Sequence, residues 1–113
     1  MAGLSTHVLD TSRGTPAAAI KIELFTDGKL VSSRTTNTDG RTDEPLIKSG
    51  DLTPGVHELH FHAGDYFKAN NTSVDDVLFL DVVVIRFGIN NPQQHYHVPL
   101  LLSPYGYSTY RGS

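Results

Sequence analysis

Along the whole chain, short segments alternate apolar and polar residues with period two, and each is ended by Gly, Pro, Asn or Asp. That alternation restricts the chain to an all-β fold and argues against strand–helix–strand units. Thr6 to Asp10 opens the series. Ala18 to Phe25 sets Ile20, Ile22 and Leu24 on one face and Lys21 and Glu23 on the other, a half-buried strand, and Thr26-Asp27-Gly28-Lys29 supplies the turn after it. Leu30 to Thr38 is a polar, Thr- and Ser-rich strand ending at Asp39-Gly40, which leaves Arg41 at a strand end or in a loop. Val56 to His62 sets His57, Leu59 and Phe61 against Val56, Glu58, His60 and His62, and Val82 to Ile89 is apolar enough to be buried on both faces. Between them, Gly64 to Asn71 carries Tyr66, Phe67 and Ala69 and suits one or two helical turns stopped by an Asn cap at Asn70-Asn71. His95 to Leu102 and Tyr105 to Tyr110 form the last two strands, joined at Ser103-Pro104. Seven or eight strands and one short helix predict a two-sheet β-sandwich. With no repeat, low-complexity tract or linker, residues 1–113 are expected to form one domain.

Charge and cysteine content remove several function classes. The net charge is −3 and the nine Lys and Arg are scattered, so no basic stripe awaits a nucleic-acid backbone or an anionic membrane. The chain has no cysteine, which excludes disulfide scaffolds, thiolate metal sites and cysteine nucleophiles. Met1 to His7 has no apolar run of the signal-peptide kind, and no segment approaches the ~20 apolar residues of a membrane span. Arg111-Gly112-Ser113 is not the Ser-Lys-Leu peroxisomal address, and a cytoplasmic location is expected. At this length the domain buries only about two-thirds of its unfolded surface, so association with other chains is a natural source of stability.

Six histidines are many for 113 residues, and histidine is the side chain that exchanges protons near neutrality. His60 and His62, and likewise His95 and His97, are His-x-His pairs on strands, each sharing a sheet face in the way strand-borne metal sites do. No Asp, Glu or Cys at an obvious ligand spacing completes either pair. A turn centred on Ser103-Pro104 would place His97 directly across from Tyr110 on the less apolar face, with Pro99, Leu101 and Ser108. Tyr96, Val98, Leu100 and Leu102 then point to the core. Pro99 donates no ladder hydrogen bond and marks a place where its strand is unpartnered on one side or bulged. Taken alone, His97 also reads as a surface histidine beside a surface tyrosine, and His7 as a hydrogen-bonded core histidine. Arg41 is either a solvated turn residue or a guanidinium placed to grip a planar anion or polarised carbonyl. No Gly-x-Ser-x-Gly elbow, phosphate-binding glycine loop or glycosidase-like carboxylate pair is present.

The run from His95 to Ser113, HYHVPLLLSPYGYSTYRGS in one-letter code, resembles the C-terminal signature of the 5-hydroxyisourate hydrolases, also called transthyretin-like proteins. Leu4 to Asp10 with Gly14 to Ala17 resembles their N-terminal block, and Thr36 to Arg41 their middle block, so the similarity spans essentially the whole chain. The segment from Asn70 to Leu80 is the one departure, more polar and less proline-rich than the family pattern. The resemblance implies a transthyretin-like sandwich and a homotetramer, a dimer of dimers, with active sites where two dimers meet. It implies that His7, Arg41, His97 and Ser113 are catalytic and that His7, Arg41, Tyr110 and Arg111 bind substrate. The implied reaction is hydrolytic ring opening of 5-hydroxyisourate, the product of urate oxidation, to 2-oxo-4-hydroxy-4-carboxy-5-ureidoimidazoline, with no metal or organic cofactor. On this expectation the histidines orient and deprotonate water and later protonate the leaving nitrogen, while Arg41 holds the carbonyl edge. Two rivals are carried beside it: a carrier of small aromatic ligands in the manner of transthyretin, and a zinc hydrolase built on His95 and His97.

Overall fold

In a computed structural model, which describes residues 3–70 and 75–112, eight strands form two four-stranded sheets. The elements are β1 (Leu4–Asp10), β2 (Thr15–Pro16), β3 (Lys21–Thr26), β4 (Lys29–Thr35), β5 (Gly55–His62), α1 (Ala63–Ala69), β6 (Val82–Ile89), β7 (Tyr96–Ser103) and β8 (Gly106–Thr109). The first sheet runs β2-β1-β7-β8 and the second β4-β3-β5-β6. All ladders are antiparallel except β1 with β7, where the first strand lies parallel to the seventh with Ser5 against His97 and His7 against Pro99.

The core is the shared inner face that period two predicts. Leu4 and Val8 of β1, Ile22 and Leu24 of β3, Leu59 and Phe61 of β5, and Leu100 and Leu102 of β7 are fully buried between the sheets, with Phe67 of α1. Asp27 and Gly28 both have positive φ, 51° and 78°, the mirror-image two-residue turn whose twist matches a hairpin. Buried Asp10 closes the end of β1. Its carboxylate accepts from Ser12 and from the Tyr66 hydroxyl, and burial together with that carboxylate pushes the Tyr66 phenol up to about 12.

Several boundaries and one burial expectation are corrected. The fourth strand stops at Thr35 because Thr36 turns inward: its hydroxyl donates to the Ala17 carbonyl and accepts from the Ile20 amide. The helix spans Ala63–Ala69 and ends at Asn70, whose amide and side chain both donate to the Tyr66 carbonyl; Asn71 lies outside the described residues. Strand β6 is not buried on both faces. It is the edge of its sheet, and Val82 and Val84 are exposed while Val83 and Ile85 face the core.

The last hairpin is also shifted from its expected register. The turn is Pro104-Tyr105, closed by Ser103 against Gly106, so Leu101 faces Ser108 and Leu100 faces Thr109. The ladder breaks there, across Pro99, which lacks an amide hydrogen, and resumes in a single bridge between His97 and Gly112. His97 therefore sits across from Gly112, not Tyr110. One residue of turn placement is enough to move the partner by two positions.

Candidate active site

The outer face of the first sheet gathers the polar residues. On β1, Ser5, His7 and Leu9 point away from the core; on β7, His97 and Leu101 do the same, and the parallel register brings these rows side by side. His7 Nε2 lies 2.9 Å from the Asp39 carbonyl. A carbonyl only accepts, so Nε2 carries the hydrogen and neutral His7 presents Nδ1 as its free lone pair.

The loop that carries Arg41 is built onto β1 beside this face. Asn37 Oδ1 accepts from the amides of Asp39 and Arg41, the Asn37 amide donates to the Arg41 carbonyl, and the Gly40 carbonyl accepts from the Val8 amide at 2.8 Å. Gly40 has φ +75°, and a Cβ there would meet the Val8 carbonyl oxygen at 2.3 Å. Only glycine allows this approach. The charge of exposed Arg41 is felt at His97: burial first, then the Arg41 cation, then His7 and His95 hold the His97 imidazole below the ordinary histidine value of 6.5.

His97 is gripped from two sides. Its Nδ1 is 2.8 Å from Ser5 Oγ, and the same hydroxyl is 3.0 Å from His95 Nε2. The Gly112 amide donates to the His97 carbonyl at 2.7 Å, and a Cβ on Gly112 would come within 2.7 Å of His97 Cδ2. Glycine is needed for the tail to lie against this ring. Among the described residues no group hydrogen-bonds His97 Nε2, so this nitrogen is left for a ligand.

The arrangement therefore brings together His7, His97 and the charge of Arg41, and adds Ser5 and His95. Tyr110 and Arg111 are elsewhere. They line a cavity of about 250 Å³ at the open edge between the sheets, with Ile85, Phe87, Tyr96 and Val98. The Arg111 guanidinium stands 4.0 Å from the centre of the Tyr96 ring and donates to Gln94 and to the His95 carbonyl, contacts that tie down the tail. Ser113 lies outside the described residues. Of the other His-x-His pair, His60 pairs with Glu58 and His62 with Glu23 on the second sheet. No group of three or more potential metal-ligating side chains converges among the described residues.

The sequence flagged His95 only as a metal ligand and passed over Ser5 and Asn37, while Gly112 entered only as part of the Tyr110 to Ser113 tail. The signal for Ser5 was present, because it shares a face with His7 two residues on. Its meaning depended on knowing which strand lies beside it.

Comparison with known proteins agrees with this fold. Residues 4–112 match the family model described as HIUase/Transthyretin family. The 5-hydroxyisourate hydrolase of Pseudomonas aeruginosa is 51% identical over 100% of this chain and 93% of its own length. Among solved structures, Klebsiella pneumoniae 5-hydroxyisourate hydrolase is 34% identical, with TM-score 0.84, over 100% of this chain and 94% of that one. An (S)-allantoin synthase is 44% identical with TM-score 0.91 over 98% of this chain, which spans only 43% of that longer protein.

Proposed function

This chain belongs to the HIUase/Transthyretin family, and we infer that it is a 5-hydroxyisourate hydrolase, with residues 1–113 acting as one hydrolase domain. The substrate is 5-hydroxyisourate and the product 2-oxo-4-hydroxy-4-carboxy-5-ureidoimidazoline. The observation that carries the reading is the convergence of His7 and His97 within the field of Arg41 on one sheet face, with His97 favoured in its neutral form. Full-length identity of about half to named hydrolases supplies the substrate.

His97 Nε2 takes a proton from water as the water oxygen attacks the ring carbonyl. Arg41 stabilises the charge that develops on that carbonyl oxygen, and His7 Nδ1 orients the water. The acyl–nitrogen bond then breaks, and the leaving nitrogen receives the proton. Ser113 adds its hydroxyl to the site, while Arg111, held by Gln94 and the His95 carbonyl, fixes the tail that carries it, and Tyr110 stays at the neighbouring cavity.

The working unit in this reading is a homotetramer, a dimer of dimers with sites where dimers meet. Two features support it. Strands β6 and β8 are both sheet edges, bordering the same cavity, and unpaired edges are templates for another chain. The His7 and His97 face is an open sheet surface that needs a second surface to exclude water. Sedimentation velocity should give about four times the 12.4 kDa chain mass; a monomer at micromolar concentration overturns this part.

The hydrolase reading is tested by generating 5-hydroxyisourate with a urate oxidase and following its ultraviolet decay. The protein should accelerate decay, and a folded sample that does not would defeat the reading. The pH dependence follows from His97. Protonation removes the base, and a lowered pKa shifts that loss to lower pH, so the midpoint of the acid limb of kcat/KM should lie below 6.5. An acid limb at or above 6.5 would contradict His97 as the base.

A further inference from the structure

Ser5 stands between two imidazoles. The register of β1 against β7 sets it beside His97, and its Oγ lies 2.8 Å from His97 Nδ1 and 3.0 Å from His95 Nε2, all three side chains being partly buried on the outer face. A serine hydroxyl has one hydrogen to give and lone pairs to receive. With one hydrogen, Ser5 can donate to only one of the two rings, so at least one ring nitrogen donates to it. If His97 Nδ1–H donates to Ser5 and Ser5 donates to His95 Nε2, His97 Nε2 is left as the bare lone pair, which is the form a base needs.

We propose that Ser5 is a positioning residue that fixes His97 in its Nδ1–H tautomer and relays the charge His97 acquires to His95, an assignment that rests on the hydrolase reading above. Water loses its O–H bond to His97 Nε2 as its oxygen bonds to the substrate carbonyl carbon. The His97 Nδ1–H bond then breaks as a new Ser5 O–H bond forms, and the original Ser5 hydrogen moves to His95 Nε2. His97 is neutral again with its hydrogen on Nε2, and His95 carries the positive charge. The same protons return when Nε2 gives its hydrogen to the leaving ring nitrogen. No oxidation or reduction occurs and no atom is left over.

Electrostatics disfavour leaving the charge on His97. A cation on His97 sits partly buried and beside Arg41, the two largest effects that disfavour its charged form. His95 Nε2, one residue before the start of β7, is the next acceptor along the hydrogen bond from Ser5.

The test uses the full chain with Ser5→Ala, Ser5→Thr and His95→Gln, measuring kcat, KM and the rate in mixtures of H₂O and D₂O. A relay moving several protons in one step gives a curved dependence on deuterium fraction. Ser5→Ala should lower kcat about 10- to 100-fold with KM changed less than about threefold, and should make that dependence linear. Ser5→Thr keeps the hydroxyl and should restore both. His95→Gln keeps an acceptor for the Ser5 hydroxyl but cannot hold a second proton, so it should also give the linear dependence. Parental kcat and curvature in Ser5→Ala overturn the proposal. If that variant does not fold, parental kcat and curvature in His95→Gln overturn it instead. Failure of the parent protein to accelerate decay is a different result and removes the hydrolase reading itself.

Discussion

His97→Ala lowers kcat/KM for 5-hydroxyisourate by about 10²- to 10⁴-fold, the range general acid–base catalysis supplies, while the protein stays folded. His97 is the one imidazole on the outer face whose Nε2 is free among the described residues and whose Nδ1 is held by a neighbour. Its side chain is only partly buried and takes no place among the apolar residues of the core. The strand contacts it makes run through the backbone, in the β1 register and the amide of Gly112, and an alanine keeps them. The loss should therefore fall on the rate, with the thermal midpoint changed by no more than a few degrees, as for a substitution outside the core. Initial rates of ultraviolet decay, paired with circular dichroism, check both halves. A folded His97→Ala protein at the parental rate would leave the site without its base. The carrier alternative predicts that parental behaviour, because a ligand-binding surface has no use for a proton acceptor.

Most of the fold was legible because two-sheet packing writes itself into single strands. Ile22 and Leu24 against Lys21 and Glu23, or Leu59 and Phe61 against Glu58 and His60, declare their inner face without reference to any neighbour. Asp27-Gly28 announces its turn for an equally local reason, since both residues take positive φ. What local pattern does not carry is adjacency. The parallel pairing of the first strand with the seventh joins residues about 92 positions apart, as Ser5 and His97 are. Nothing in either segment names the other. That is why His7 and His97 could be marked separately but Ser5 could not be seen between His95 and His97.

The remaining misreadings have the same origin. The apolar run of β6 reads as a strand buried on both sides because composition cannot distinguish a central strand from an edge strand. In the last hairpin, moving the turn from Ser103-Pro104 to Pro104-Tyr105 exchanges Tyr110 for Gly112 opposite His97. The exchange matters chemically. Glycine lets the chain end close against the imidazole edge, where any Cβ would collide with it, and Tyr110 is left at the cavity beside Tyr96.

Arg41→Ala should produce the second large effect, and its pH signature separates two jobs done by one guanidinium. Loss of the group that stabilises the developing oxyanion should lower kcat by about 10²- to 10³-fold. Removal of the cation should also release His97. Arg41 is the largest charge effect holding that imidazole low, after burial, so without it His97 binds its proton more readily. The base is then lost at higher pH, and the acid limb of kcat/KM moves up toward 6.5. Arg41→Lys keeps the charge but not the planar pair of donors, so it should leave the limb near its parental position while recovering only part of the rate. Because Arg41 is exposed, its field is also open to screening, and added salt should move the parental limb in the same upward direction, with little effect on the limb of Arg41→Ala. Rate–pH profiles of the parent and both variants at two ionic strengths decide the matter. An alanine variant that loses rate with its limb unmoved would confine Arg41 to substrate contact; one that loses neither would take Arg41 out of the site.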